Sequence, residues 1–161
     1  KEELPPIKLI YQINERSHKI AQILQQQWNK AFGLTVELAN MEFKVMLDKV
    51  AHKDYQITLL GWYADYRDPI NFFEIFKYKS NASNSTGWEN SDFQALVDQS
   101  DTEADASKRN DLLIQAEKIL IAHMPVAPLY FNAYNYSKKS NLKGVYLSDL
   151  GYLDFKEAYF E

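Results

Sequence analysis

The fold is decided by residues 7–60, IKLIYQINERSHKIAQILQQQWNKAFGLTVELANMEFKVMLDKVAHKDYQITLL, which alternate between strand and helix patterns. Ile7 to Gln12 is apolar and β-prone. Asn14 is placed to cap the next element, with Glu15 against the positive end of a helix dipole. Ile20, Ile23, Leu24, Trp28, Ala31 and Phe32 then recur at helical spacing, and Gly33 stands where a glycine ends a helix. Leu34 to Leu38 alternates as a strand does, and Asn40 is placed to cap a shorter helix with Phe43, Met46, Leu47 and Val50 on one face. Tyr55 to Leu60 form a third strand that runs into the turn Gly61-Trp62-Tyr63-Ala64-Asp65-Tyr66-Arg67-Asp68-Pro69. Two crossover units of this length give a parallel sheet with helices packed on it, because such connections are right-handed. The expected class is α/β.

The second half is more helical. Asn71 to Phe76 predicts a short helix, and the polar stretch from Ser80 to Asn90 an exposed loop. That loop holds two N-x-[ST] sequons, at Asn81 and Asn84, which a plain polar loop explains better than glycosylation does. Ser91 and Gln94 are spaced as a capping box ahead of Phe93, Leu96 and Val97. A longer helix is predicted over Ala106 to His123 with Leu112, Ala116, Ile119 and Leu120 inward. Pro125 and Pro128 bracket a return to extended chain at Leu129-Tyr130-Phe131, and the last twenty residues are short β-prone runs without an obvious partner.

Composition narrows the function. A chain of 161 residues is long enough to bury a core, and 14% aromatic content supplies rigid contact area for a ligand as well as core. The net charge of -4, without a basic cluster, argues against nucleic acid as a partner. The absence of cysteine removes disulfides, thiolate metal sites and a cysteine nucleophile. No stretch reaches the length of about 20 apolar residues that spans a bilayer. The opening Lys1-Glu2-Glu3-Leu4-Pro5-Pro6 lacks the apolar core of a secretory leader, so a leader is either absent or lost.

Few residues carry candidate chemistry. His18, His52 and His123 fall on separate elements without a carboxylate at ligand spacing, which favours surface or helix-end roles over zinc. No nucleophile elbow or glycine-rich phosphate loop is present. Asp65 and Asp68 form the one carboxylate pair worth testing as acid and base. Asp68 before Pro69 is a common turn starter, however, with its side chain on local backbone N–H groups. Asp65 lies just beyond a predicted parallel strand, where open α/β sheets place ligands, with Trp62, Tyr63 and Tyr66 around it. A carboxylate among ring faces suits an ammonium group. An internal ion pair with Arg67 or a lysine is the competing reading, and pattern alone leaves the two even.

The segments Asp54-Tyr55-Gln56-Ile57, Gly61 to Tyr66 and Asp68-Pro69 resemble the C-terminal part of bacterial oligopeptide- and dipeptide-binding proteins. These are the extracytoplasmic solute receptors of peptide ABC transporters, extracellular solute-binding protein family 5. The Trp28 helix, Asn40 to Phe43, Asn84 with Trp88, Arg109 ahead of Ala116 to Leu120, and Pro125 to Tyr130 extend the resemblance over most of the chain. It implies a periplasmic-binding-protein-like (type II) fold of two lobes closing on an extended peptide. Residues 1–138 would form a ligand-binding lobe, truncated at its N-terminal side, and 139–161 a tail that returns to the other lobe. It also implies that Asp65 meets the peptide's α-amino group, with Gly61, Trp62, Tyr63 and Tyr66 supplying main-chain contacts and walls. Leu59 stands where some relatives carry a basic residue for the ligand carboxylate.

By the same resemblance the partners are an oligopeptide and ABC permease subunits, and the site is periplasmic or extracytoplasmic. Membrane contact would come only through the transporter or a lipid anchor outside this chain. No cofactor, metal or catalysis is implied. The alternatives are a receptor of this fold for nickel, haem, sugars or opines, a hydrolase using Asp65 and Asp68, and a surface interaction protein that has lost transport. Family members are much longer, so the chain is expected to be a fragment that binds peptide weakly alone. The stretch Gly151 to Phe155, which resembles the family's final strand, should then pair elsewhere, fray or meet another chain.

Overall fold

The computed structural model describes residues 6–161; Lys1 to Pro5, the start of the stretch read for a leader and of the predicted lobe, lie outside the described residues. The chain forms two compact units, the first ending at Trp62 and the second running from Tyr63 to Glu161.

The first unit is the predicted parallel sheet. Its strands are β1 (Ile7–Gln12), β2 (Val36–Met41) and β3 (Ile57–Thr58), in the order β2-β1-β3. β1 pairs with β2 from Ile7↔Val36 to Gln12↔Met41, and with β3 at Leu9↔Ile57 and Ile10↔Thr58. Alternate residues of a strand face opposite sides, and β1 is covered on both. Leu9 and Tyr11 pack with Ala21 of helix α1 (Glu15–Phe32), whereas Ile10 packs with Met46 and Val50 of helix α2 (Phe43–Ala51). Leu24 and Trp28 complete the α1 face, while Ile23 and Phe32, read from spacing as part of it, are exposed.

Local chemistry sets the element ends. The Asn14 side chain accepts from Ser17 N–H at 2.7 Å, and Gly33, at φ 69°, donates its N–H to the Asn29 carbonyl. Four expectations need correction. The second strand starts at Val36 rather than Leu34. Asn40 does not cap α2, because it lies within β2 opposite Tyr11; Glu42 caps instead, its carboxylate accepting from the N–H groups of Lys44 and Val45. Of α2's predicted face Met46 and Val50 are buried, but Phe43 and Leu47 are exposed. The third strand is short: past Thr58 only the Leu59 N–H still reaches the Ile10 carbonyl before the chain leaves the ladder.

The second unit packs α3 (Ile70–Lys77), α4 (Ser91–Thr102) and α5 (Ala106–His123) around Ile70, Phe73, Phe93, Val97, Leu113, Ala116 and Leu120. Leu113 replaces the expected Leu112 in the core, one residue being about 100° on a helix. Asn90 rather than Ser91 caps α4, accepting from Phe93 N–H at 2.9 Å. The 80–90 loop is not wholly exposed. Asn84 is 3% exposed, its amide donating to the carbonyls of Tyr78 and Trp88 and accepting from Thr86 and Gly87. Leu129 to Phe131 is exposed chain without strand pairing.

The last β-prone runs pair with one another. β4 (Leu142–Lys143) is antiparallel to β7 (Tyr159–Phe160), and β5 (Tyr146–Leu147) to β6 (Leu153–Asp154). Gly144, at φ 68°, lets this tail close, since a Cβ there would lie 1.9 Å from the Glu157 carbonyl oxygen. Gly144→Ala is therefore expected to open the β4–β7 pairing while α4 and α5 stay intact. Amide hydrogen exchange checks this; unchanged protection at Phe160 would contradict it.

Candidate functional site

The Gly61–Pro69 segment is shared between the units. Gly61 and Trp62 close the first, just past β3 at the C-terminal ends of the parallel strands. In the order β2-β1-β3 the first crossover runs outward from β1 to β2 and the second returns from β2 past β1 to β3, a reversal of the kind that marks a ligand-binding crevice in open sheets. The Trp62 ring is exposed. Leu59 packs instead against the Leu9, Tyr11 and Ala21 cluster.

Tyr63, Asp65 and Tyr66 open the second unit, all three exposed. Asp65 is held by Asn71, which is 7% exposed at the start of α3. The Asp65 N–H donates to Asn71 Oδ1 at 3.2 Å, and Asn71 Nδ2 reaches Asp65 Oδ2 at 3.5 Å. The nearest hold on this carboxylate is thus a neutral amide at the edge of hydrogen-bond range. Arg67, the residue suspected of neutralising it, pairs with Asp149 at 2.5 Å instead. Among the described residues Asp65 takes part in no ion pair.

The neighbouring aromatics are fixed from the same unit. The Tyr63 ring tilts against Tyr134, with centroids 5.9 Å apart, and the Tyr134 ring in turn lies over Gly151, where a Cβ would sit 3.1 Å from it. Tyr66 donates its hydroxyl to Glu74 at 3.0 Å. Burial pushes the Tyr66 phenol up, and the Glu74 carboxylate adds to this against an opposing hydrogen bond with Asn71, so the ring stays neutral at physiological pH.

Asp68 has a different setting. One oxygen accepts from Ile70 N–H at 2.9 Å and from Arg109 Nη2 at 2.9 Å, and the other lies 2.9 Å from Arg109 Nη1. Arg109 Nε donates to the carbonyl of Ser100, a fully buried residue. The hydrogen bond from Arg109 holds the Asp68 carboxyl below the usual carboxylate range, outweighing partial burial, with Ile70 N–H and the guanidinium charge assisting. An aspartate so held is ionised and engaged at both oxygens, a poor proton donor for hydrolysis. Its stabilising effect is complete above the ordinary Asp value of about 3.9 and is lost as pH falls through the lower folded value. The second unit is therefore expected to lose stability in urea below about pH 4, and Asp68→Asn to show a flatter acid limb. Parallel limbs for the two proteins would count against this.

The histidines remain apart. His18 Nδ1 lies 2.7 Å from the Tyr11 hydroxyl, His52 ends α2 beside Asp48, and His123 shares a hydrogen bond with Trp88 Nε1 at 3.3 Å. Among the described residues no three His, Asp or Glu side chains gather as a metal site. Surface hollows of about 450 and 440 Å³ are lined in one case by residues including Gln99 and Lys108 and in the other by residues including Lys49 and Tyr55. Neither includes a residue of the Gly61–Pro69 turn. The roles of Asn71 and Arg109 at this turn escaped the sequence reading. Only the nearness of Asn71 to the turn could have suggested the first.

Comparison with known proteins places the chain in a family. The model for bacterial extracellular solute-binding proteins, family 5, middle region, matches residues 1–84. The chain is 47% identical to the oligopeptide-binding protein OppA of Bacillus subtilis over 159 residues, covering 99% of this chain and 29% of that protein. It is 36% identical to the dipeptide-binding protein DppE of the same organism, covering 97% of this chain and 28% of that protein. The solved substrate-binding domain of an oligopeptide ABC transporter from Bacillus anthracis superposes with a TM-score of 0.85 at 26% identity, over 98% of this chain and 31% of that one. The chain thus spans under a third of the length of the curated relatives it matches.

Proposed function

We propose, from the premise that the chain belongs to the bacterial extracellular solute-binding proteins of family 5, that it forms part of a peptide receptor serving an ABC importer. The observation that carries this reading is Asp65: an exposed carboxylate with no cation partner among the described residues, steadied by the buried amide of Asn71. An ion pair left open in this way suits an incoming α-ammonium group. A charge-assisted hydrogen bond to a carboxylate is roughly twice as strong as a neutral one, and the rings of Tyr63 and Tyr66 add cation–π attraction.

Gly61 and Trp62 would offer main chain to the ligand as an added strand, which gives affinity without regard to side-chain identity. The receptor performs no chemistry on its ligand and needs no cofactor; it hands the peptide to permease subunits from the periplasmic or extracytoplasmic side, tethered by a lipid or not. Residues 1–138 act as the ligand-binding lobe and 139–161 as the tail returning to the other lobe. The oligopeptide- and dipeptide-binding names of the relatives at 47% and 36% identity support the peptide over nickel, haem or sugar. The engagement of both Asp68 oxygens by Arg109 weighs against a hydrolase.

Calorimetry on the full-length receptor with trialanine and its N-acetylated form tests the reading. The free peptide is expected to bind about a hundredfold tighter, within the range of about 2–5 kcal/mol that loss of one partner of a desolvated charge pair costs. Equal affinities would overturn it.

A further inference from the structure

We infer that Arg109 sets the register of the bound ligand by withdrawing Asp68 from competition with Asp65; this rests on the reading of Asp65 as the ammonium anchor. The turn carries two carboxylates three residues apart, and only one of them is left open. The Asp68 side chain keeps 30% of its surface, so it is not hidden from an approaching cation by burial alone. What removes it is the guanidinium fork. Nη1 and Nη2 of Arg109 each lie 2.9 Å from a different Asp68 oxygen. Nε is held at the same time by the Ser100 carbonyl, 3.1 Å away. Three fixed nitrogens lock the plane of the group, which a lysine, as a point charge, cannot do.

Without that fork an ammonium group arriving at the turn would find two acceptors at two positions along the chain. A peptide bound mainly through its backbone has little else to choose between registers shifted along the strand. Arg109 touches no ligand in this scheme and is a positioning residue. It leaves Asp65 as the open one of the two aspartates in the turn, as specificity by exclusion of the wrong partner requires.

The test uses the full-length receptor, trialanine as probe and calorimetry as readout, with thermal unfolding run on every variant. Asp65→Asn alone is expected to lose most of the affinity. Adding Arg109→Gln should then restore about tenfold, because the freed Asp68 takes the ammonium. Adding Asp68→Asn as a third change should abolish that gain. A purely structural clip predicts the opposite, a further loss on removing Arg109, and a double variant binding no better than Asp65→Asn overturns the inference. If Asp65→Asn itself leaves affinity unchanged, the anchor reading fails and this inference with it. Where the glutamine variant does not fold, Arg109→Met keeps the aliphatic stem packed and takes its place.

Discussion

Replacing Asp65 with alanine in the full-length receptor is expected to weaken binding of a free-amino tripeptide about a hundredfold, or about 2.8 kcal/mol. The size follows from what remains after truncation: an ammonium group out of water that has lost its counter-charge, with the Asp149 carboxylate committed to Arg67 and that of Asp68 to Arg109. N-acetylated peptide, which brings no ammonium group, should bind the variant and the parent alike. Folding should be unaffected, because the Asp65 side chain is exposed and its tie to Asn71 is long at 3.5 Å. The backbone N–H bond to Asn71 Oδ1 survives the substitution. Calorimetry with both peptides, alongside thermal unfolding, checks the three statements together. Unchanged affinity in a folded variant would remove Asp65 from the site.

The largest expected effect on stability is at Phe93. Its side chain is 0% exposed, edge-on to Trp88 with centroids 5.1 Å apart and tilted against Phe73 at 6.1 Å. Phe93→Ala removes a ring from between two others, and such deletions cost about 3–5 kcal/mol because the cavity closes only in part. Against a typical domain stability of about 5–15 kcal/mol this is a large share. The packing of α4 on α3 should loosen first, since Phe93 and Val97 are the α4 residues buried against Ile70 and Phe73. Urea unfolding measures the loss; a change under about 1 kcal/mol would mean the site collapses freely. Phe131→Ala gives the contrast, because Phe131 is 100% exposed and its removal vacates nothing in this chain.

The first unit was largely legible because its signals are local. Asn14 and Gly33 bound α1 through bonds to residues three and four positions away, and the apolar run of β1 marked a strand covered on both faces. Where the reading failed, a local signal met a longer-range demand. Asn40 has the chemistry of a cap, but β2 continues through it to match the length of β1. Ser91 fits a capping box, yet Asn90 before it has the same ability and stands at the actual entry of the helix. Leu112 and Leu113 cannot be ordered by period alone, and packing against Phe93 and Ala116 selects the second.

The setting of the candidate site was half legible. Asp65 stood out by its aromatic neighbours, but the question that matters, whether a cation already holds it, depends on partners distant in sequence. Asp149 draws Arg67 away and Arg109 draws in Asp68, and neither pairing leaves a spacing that can be read along the chain. The tail was opaque for the same reason: β4 and β7 are two-residue strands whose pairing is visible only once the chain has turned back.

The brevity of β3 bears on how the first unit opens and closes. β2 is secured to β1 along six paired positions, whereas β3 is held by two. Its closure spans two helices rather than one, so the entropy of ordering the intervening chain is larger and fewer contacts offset it. The end of the sheet that leads into Gly61 and Trp62 therefore belongs to its least stable portion, able to detach and re-form while β1, β2 and α1 stay folded. A backbone so lightly tethered can shift its path without the unit having to melt.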